Sequence, residues 1–388
     1  MIRISEPYEV IIAGGGPVGL FLGICLEKAG ISTIILEKRT AVRSGSRSLG
    51  IHPVSLELFQ KTGIADSFVD TGIKIYRGYA FTNSRKIGTI SFENCRKPFN
   101  YILALPQSKT EAILERKARY LNPKLLVRGA EIIHVSQHND HVEARFLSNG
   151  KAQTIKGSFL VGCDGKNSFI REQAGIDFKG KNYPDTYIMG DFSDNTPFGS
   201  NAAVFLCDDG LIESFPLLNQ RRRWVVKTSS YLTEVRPRDI EERVAERIGH
   251  DLKNTEHCML SSFGVEKKLA MPMVKNRIIV AGDAAHIVSP IGGQGMNLGW
   301  LGAWDLAQSF LRIFKKNHSR IHEMAKFEKR RRKAAKNTIR RAEINMQLGR
   351  EYNHPLIRNT LVWLMLHTPL SNLMARVYTM RGVERWIF

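Results

Sequence analysis

Long apolar runs are missing from this chain: none reaches the ~18 consecutive apolar residues that a bilayer-spanning helix needs. On the sequence, then, no helical membrane span is expected. Cysteine is also sparse. The five present, Cys25, Cys95, Cys163, Cys207 and Cys258, are odd in number and scattered, and no two stand at metal-ligand spacing. A disulfide framework and a thiolate metal site are therefore not expected. The thiols are read as reduced and mostly buried, in a cytoplasmic protein. No signal-peptide layout shows at the start, where "MIRISEPYEVIIAGGG" enters a strand almost at once. Acid is in short supply too: 37 Asp and Glu stand against 57 Lys and Arg, a net charge of +20. Such an excess favours an anionic partner, whether nucleic acid, a phosphate-bearing cofactor or an anionic lipid surface. No nucleic-acid motif accompanies the charge, so nucleic acid is not an expected partner. Internal repeats and low-complexity linkers are absent.

What the chain does have is an alternation of strand and helix at both ends and a run of strands between. "YEVIIAGGGPVGLFLGICLEKAGISTIILEK", residues 8–38, reads as strand, glycine turn, helix and strand, a βαβ unit. A short helix is expected over 53–62, a hairpin over 74–93, and a helix over 108–120 capped by Ser108 or Thr110. Asn149-Gly150 is a hairpin turn. Strands are expected at 186–193, 202–207, 211–217, 223–229 and 260–266, interrupted by one helix at 237–249. A buried strand follows at 277–281, then long helices over roughly 295–314 and 323–350. Strands in series form a different layer from the opening βαβ unit, so a second, mainly antiparallel sheet is inserted in an α/β fold.

Gly14, Gly16 and Gly19 stand as G-x-G-x-x-G between a strand and a helix. The first glycine allows a tight turn, the second lets a pyrophosphate approach the backbone, and the third lets helix and strand pack closely. Pro17 and Val18 complete the turn, and the helix start aims amides at the phosphates. Glu37, followed by Lys38, closes the second strand 18 residues after Gly19. A carboxylate there can accept hydrogen bonds from an adenosine ribose and would repel a 2′-phosphate. FAD and NAD both fit this pattern. Two further acids stand at strand ends flanked by glycine: Asp164 with Gly165, and Asp283 after Gly282. Each could serve part of one extended cofactor, or simply cap a helix or an Asx turn.

Together the segments "GGGPVG" with Glu37, "RSLGIHPVSLELF" from Arg47, "LPQSKTEAIL" from Leu105, "GCDGKNSFIR" and "GDAAHIVSPIGGQGMNLGWLGAWDLA" resemble the group A flavoprotein monooxygenases, the para-hydroxybenzoate hydroxylase-like and phenol hydroxylase-like enzymes. The resemblance implies a Rossmann-like FAD-binding fold of the GR2 type, an inserted substrate sheet and C-terminal helices. It implies FAD rather than NAD in the glycine turn, with Asp283 at the ribityl chain, Arg47 along the cofactor, and Gln107 at its ribityl or phosphate region. The Asp164 segment would contact the pyrophosphate indirectly. NADH or NADPH would bind transiently, as no second dinucleotide fold is visible. The chemistry implied is reduction of FAD, addition of O2 at flavin C4a to give a hydroperoxide, and hydroxylation of a phenol or quinol-like ring. On that reading residues 1–73, 101–180 and 270–340 form a discontinuous FAD-binding domain, 74–100 and 181–269 a substrate domain, and 341–388 a C-terminal helical segment.

The loop "GGQGMN" supplies free backbone amides at a helix start, where a reduced flavin carries negative charge. Gly293, Gln294, Gly295, Met296 and Asn297 are the expected anion hole, with Pro290 stiffening its wall beside flavin and substrate. No triad or metal is called for. Substrate contacts are expected from Ile212, Ser214, Phe215 and Val226 of the inserted sheet, and from His52. His286 is expected to support the loop. Tyr101, Tyr183 and Tyr187 could orient a phenol. The basic stretch "KKNHSRIHEMAKFEKRRRKAAKNTIRR" and the apolar segment after it allow peripheral membrane contact, or a solvated helix face followed by docked helices. The protein is expected as a monomer or homodimer. Rival readings are a flavin-dependent reductase of isoprenoid double bonds and a non-catalytic flavin-binding protein. A halogenase is disfavoured, since no Trp-x-Trp segment is present.

Overall fold

Val10, Ile11 and Ile12 are fully buried, as are Ile34 and Ile35 to within a percent, because the strands they form are covered on both faces. The computed structural model describes residues 7–42, 48–350 and 355–383. At its centre Tyr8–Ala13 lies between Lys151–Gly162 and Thr33–Glu37, with Ile278–Val280 beyond the one and Leu126–Arg128 beyond the other. These four pairings are all parallel. On one side the sheet meets the helices Pro17–Lys28, Gln107–Leu121 and Gln294–Lys316, through Phe21, Leu114, Trp300 and Phe310. On the other side Ala334 and Ala335 of the basic helix Arg320–Leu348 share a core with Ile11, Leu160 and Val280.

Helix starts follow local chemistry. Pro53 opens Pro53–Thr62, and Gly63 ends it in the left-handed region at φ +69°. The helix expected over 108–120 is Gln107–Leu121, and its cap is Pro106, not Ser108 or Thr110. Proline needs no amide partner, and Thr110 is drawn inside as a buried residue of the first turn. Asn149 and Gly150, at φ +50° and +72°, make the hairpin turn between Val142–Ser148 and Lys151–Gly162.

A second sheet of eight strands includes the hairpin Arg77–Thr82 and Arg85–Ser91, and its middle strands are Asp177–Ser193, Arg221–Thr228, Gly210–Leu217 and Ala202–Cys207. Two of its strands run well past the expected 186–193 and 260–266. Asp177–Ser193 pairs with His257–Met271 from Asp177↔Met271 onward. The length added to Asp177–Ser193 is mostly polar and exposed, so apolar alternation could not reveal it. One face of the sheet packs on the helix Pro237–Ile248 through Ile188, Phe205, Ile212, Trp224 and Val226. The other face carries Met189, Leu206, Leu211, Val225 and Phe263, and meets Val362 and Leu366 of the C-terminal helix Pro355–His367.

A tight joint lies at Gly19, where a Cβ would lie 2.0 Å from the Gly14 carbonyl oxygen and 3.2 Å from the Cys163 Cβ. The backbone of Gly14 on one side has little room to yield. Gly19→Ala is therefore expected to destabilise the fold by about 3 kcal/mol, measured by urea unfolding of the flavin-free protein. A midpoint unchanged from that of the parent chain would contradict this packing.

Candidate active site

Register brings the separate motifs together. Ala13 pairs with Gly162 and with Leu36, and Gly162 pairs with Val280. Four strands thus end level at their carboxyl edge, the place where open α/β sheets hold ligands. Connecting bonds fix the turns that follow: the Gly14 amide donates to Leu36 O, Cys163 to Ala13 O, and Ala281 to Gly162 O, at 2.7–2.9 Å. Arg171 ties two turns to each other by donating to Ala284 O and Lys166 O. A cavity of 1460 Å³ opens over this edge and runs on to the second sheet.

The three glycines of the first turn differ in surroundings. Gly14 has φ +104°, and a Cβ on it would meet the Cys163 carbonyl oxygen at 2.5 Å. Gly16 borders the cavity, and a Cβ there would meet nothing within 4 Å. Gly19 is packed against backbone, as described. The helix behind has no side-chain cap, so its first-turn amides face an open cradle. A pyrophosphate fits that shape, and Pro17 and Val18 also line it.

Glu37 is buried at the cavity wall. Its Oε2 accepts from the Gly15 amide at 2.6 Å, and its Oε1 from the Arg39 amide and Nε at 2.8 Å. Burial pulls its pKa up, but bonds and charge from Arg39 and the Gly15 amide outweigh this and hold it below the usual carboxylate value. A ribose diol reaching this carboxylate would have to share it with the Arg39 guanidinium. Lys38 sits at the cavity margin, exposed, 3.9 Å from Glu131. The Gln107 side chain borders the cavity and donates to Glu111 at 2.8 Å. Arg47 lies outside the described residues.

The two other acids have different fates. Asp164 accepts from Ser168 Oγ at 2.5 Å and from the Ile170 amide at 3.0 Å, while Ser168 caps the short helix Phe169–Gln173. Its carboxylate is thus occupied in capping, though Asp164 and Gly165 both border the cavity. Asp283 has no such duty. It stands in the turn Gly282–Ala284 with its side chain open to the cavity. Burial by the surrounding protein raises its pKa, and the Lys166 charge opposes this.

Beyond Asp283 the loop doubles back. Gly292 and Gly293 take φ +85° and +65°, and the Gly293 amide donates to Pro290 O at 2.9 Å. The helix Gln294–Lys316 then starts, again without a side-chain cap. Pro290, Gly293, Gly295 and Met296 face the cavity. The Gln294 and Asn297 side chains do not; the anion hole is expected from backbone amides of this stretch, not from its side chains. Asn297 is a buried tie: its Oδ1 accepts from the His52 amide and Ser55 Oγ, and its Nδ2 donates to Gly50 O and Gly293 O. Gln294 is 1% exposed and turned inward. What these two residues offer the cavity is backbone alone. His52 does border it, its Nε2 3.1 Å from Gly292 O. Burial drives the His52 pKa down to about 4, so the ring is neutral and donates to that carbonyl. His286 pairs in a strand with Leu269, is buried and lies off the cavity.

On the sheet side the expected substrate residues divide. Phe215 lines the cavity; Ile212, Ser214 and Val226 do not. Side chains alternate along a strand, and those three point the other way. Ile212 and Val226 pack toward Pro237–Ile248, and Ser214 accepts from Arg222 at 3.3 Å. The cavity face instead presents Leu211, Glu213, Arg223 and Val225. Glu213 was the residue to find: an acid at the centre of "GLIESFPL", in phase with Leu211 and Phe215. Of the three tyrosines, Tyr183 is engaged with Glu343, Tyr101 packs on Tyr76 and Phe99, and Tyr187 is buried in the sheet against Phe263. Tyr378, from the C-terminal helix Leu370–Tyr378, does reach the cavity.

Known proteins are similar to this chain in sequence and in fold. YhjG of Bacillus subtilis (strain 168), named as an uncharacterized aromatic compound monooxygenase, is 37% identical over 308 residues, 77% of this chain and 60% of that protein. The dialkyldecalin synthase of Streptomyces rugosporus is 33% identical over 307 residues, 75% of this chain and 64% of that one. The chain thus spans about three fifths of the length of these curated relatives. Among solved structures, p-nitrophenol 4-monooxygenase PnpA from Pseudomonas putida DLL-E4 has the same fold, with a TM-score of 0.88 at 18% identity over 98% of this chain and 99% of that one. Residues 7–342, which hold the glycine cradle, both strand-end acids and the uncapped loop helix, match the FAD binding domain family, and the chain belongs to that family.

Proposed function

We propose that the protein is an FAD-dependent monooxygenase that hydroxylates an aromatic, phenolic or quinol-like substrate, with NADH or NADPH as transient electron donor and O2 as co-substrate. The observation that carries this is the single cavity joining the glycine cradle to the apolar face of the second sheet. On this reading residues 1–73, 101–180 and 270–340 bind FAD, 74–100 and 181–269 bind substrate, and 341–388 close the structure as helices. FAD, when bound, supplies two-electron reduction by the nicotinamide and the activation of O2. This chain's residues do the rest. Gly14, Gly16 and the first turn of Pro17–Lys28 would hold the pyrophosphate, and Glu37 the ribose. Asp283 would accept from the ribityl hydroxyls. The amides of Gly295 and Met296 would steady negative charge on a reduced flavin, with Pro290 lining the same stretch of the cavity. Leu211, Phe215, Val225 and Phe263 keep the reacting end dry.

Substituted phenols are therefore expected to stimulate NAD(P)H oxidation by the FAD-loaded protein, with one atom of 18O2 entering the product. Turnover without label incorporation would point instead to a reductase, or to a synthase activity of the kind named for the dialkyldecalin synthase. Asp283→Ala is expected to keep the fold and release FAD, since losing a charge-assisted hydrogen bond weakens retention by roughly ten- to a hundredfold. Full flavin content after gel filtration, beside an unchanged circular dichroism spectrum, would count against this placement.

A second reading concerns the surface. No helix among the described residues is long and apolar enough to cross a membrane. Leu356, Ile357, Leu361, Trp363 and Leu364 are nevertheless 45–81% exposed on one helix, beside the exposed bases Arg85 and Lys86. Apolar side chains rimmed by cations support peripheral contact with an anionic bilayer. The protein is expected to co-float with phosphatidylglycerol vesicles, and Leu361→Asp with Leu364→Asp to abolish this. Equal recovery from the vesicle-free fractions for parent and variant would refute it.

A further inference from the structure

Glu213 stands midway along Gly210–Leu217, across from Val204 on one side and Val225 on the other. All three face the cavity, with Leu211 and Phe215 before and after Glu213 on its own strand. Glu213 is 8% exposed, and among the described residues no hydrogen bond or ion pair reaches its carboxyl. A second acid on this face is treated differently: Asp191 receives both Nε and Nη2 of Arg223, at 2.7 and 2.9 Å. The sheet thus supplies a guanidinium for one acid and nothing for the other.

The groups around Glu213 do not answer it. Arg223, a diagonal neighbour, is committed to Asp191. Lys227, the other diagonal neighbour, lies along Gly210. Tyr187 on the adjoining Asp177–Ser193 and Tyr378 opposite feel its charge, yet neither is bonded to it. Arg350, beyond Tyr187, is paired with Asp185. His52, also on the cavity wall, is neutral and bonded to Gly292. A buried carboxyl without a partner is costly, and the cost falls when a ligand donates to it. Burial alone moves the Glu213 pKa up to about 7, where a carboxyl can exchange a proton at neutral pH.

We infer that Glu213 recognises the substrate, accepting a hydrogen bond from an acidic ring hydroxyl and then taking its proton. The O–H bond breaks, its electron pair stays on the ring oxygen, and the proton moves to a Glu213 oxygen. No electrons leave the pair of groups, so no oxidant is required. The ring becomes richer in electrons, as hydroxylation demands, while the buried site exchanges one charge for another. This inference rests on the proposed reading of the cavity as a site for phenols.

The test uses the FAD-loaded protein, a series of substituted phenols and the matched methyl ethers. Binding is read from flavin difference spectra, turnover from NAD(P)H oxidation. The parent protein should bind phenols at least tenfold tighter than their ethers, and its kcat should rise with pH through an ionisation near 7. Glu213→Gln, similar in shape, should keep its FAD spectrum, lose the preference and the pH limb, and fall about a hundredfold in kcat. Glu213→Asp should retain the pH limb at reduced affinity, which separates charge from packing. A Glu213→Gln protein that keeps full FAD, the phenol preference and the pH limb overturns the role of Glu213 and leaves the proposed function standing. Parent protein that neither binds nor responds to any phenol overturns both.

Discussion

Level termination of four parallel strands is the constraint on which the rest of the site depends. Ala13, Leu36, Gly162 and Val280 end side by side only because each strand is paired in a fixed parallel register. A parallel sheet buried on both faces has little freedom to slip, since a one-residue shift would turn every apolar side chain against the wrong helix. Once the ends are level, the glycine turn, the Asp164 turn and the Asp283 turn become neighbours, although well over a hundred residues separate each from the next. Arg171 and the amides of Gly14, Cys163 and Ala281 hold those turns by donating to backbone carbonyls. Cohesion of the turns thus falls mainly to backbone acceptors, with the Asp283 side chain apart from it, whereas Glu37 serves both turn and cavity.

The same separation shows in the helix starts. Phe169–Gln173 is capped by Ser168 and Asp164 and asks nothing of a ligand. Pro17–Lys28 and Gln294–Lys316 have no side-chain cap, and both begin at the cavity. Amides left open at a helix start are either hydrated or bound to an anion. Two such starts on one cavity suit a ligand that carries a pyrophosphate at one end and gathers charge on a ring at the other. At these two helix starts the amides are left for a ligand to complete, while the Phe169–Gln173 start is completed within the chain.

Much of this is legible in the sequence wherever the signal is local. Pro53 and Gly63 bracket a helix whose bounds match those read from residues 53–62, and Asn149-Gly150 marks its hairpin. The differing tasks of Gly14, Gly16 and Gly19 follow from their spacing. The signal is lost where a choice depends on what lies across a strand. In Gly210–Leu217 and Arg221–Thr228 both faces mix apolar with polar residues, one toward a helix and one toward the cavity, so composition cannot assign them. Ile212 and Val226 read as well as Leu211 and Val225, and only the packing of Pro237–Ile248 decides. The Asn297 side chain is hidden from the sequence for a related reason. It follows the glycines that open the loop helix, but its side chain bridges to Gly50, His52 and Ser55, some 245 residues earlier in the chain.

The charge of the chain also changes meaning once the fold is known. An excess of +20 invites the search for an anionic partner, yet many of the arginines answer to backbone carbonyls within the protein. Arg222 donates to Gly199 O and Asn201 O, Arg277 to Asn139 O and Ser158 O, and Arg358 to Leu206 O and Cys207 O. Arg381 reaches Arg96 O and Phe99 O, while Arg330 and Arg331 both close on Asp305. A guanidinium offers five donors in a plane and stays charged when buried. It suits the edges where strands end and helices dock, where carbonyls would otherwise lack partners. Arg358 and Arg381 fasten the C-terminal helices in this way, and Arg350 joins them through Asp185. Those helices bring Val362, Leu366 and Tyr378 to the cavity wall. Part of the basic excess is therefore spent within the fold, on closing the cavity against solvent.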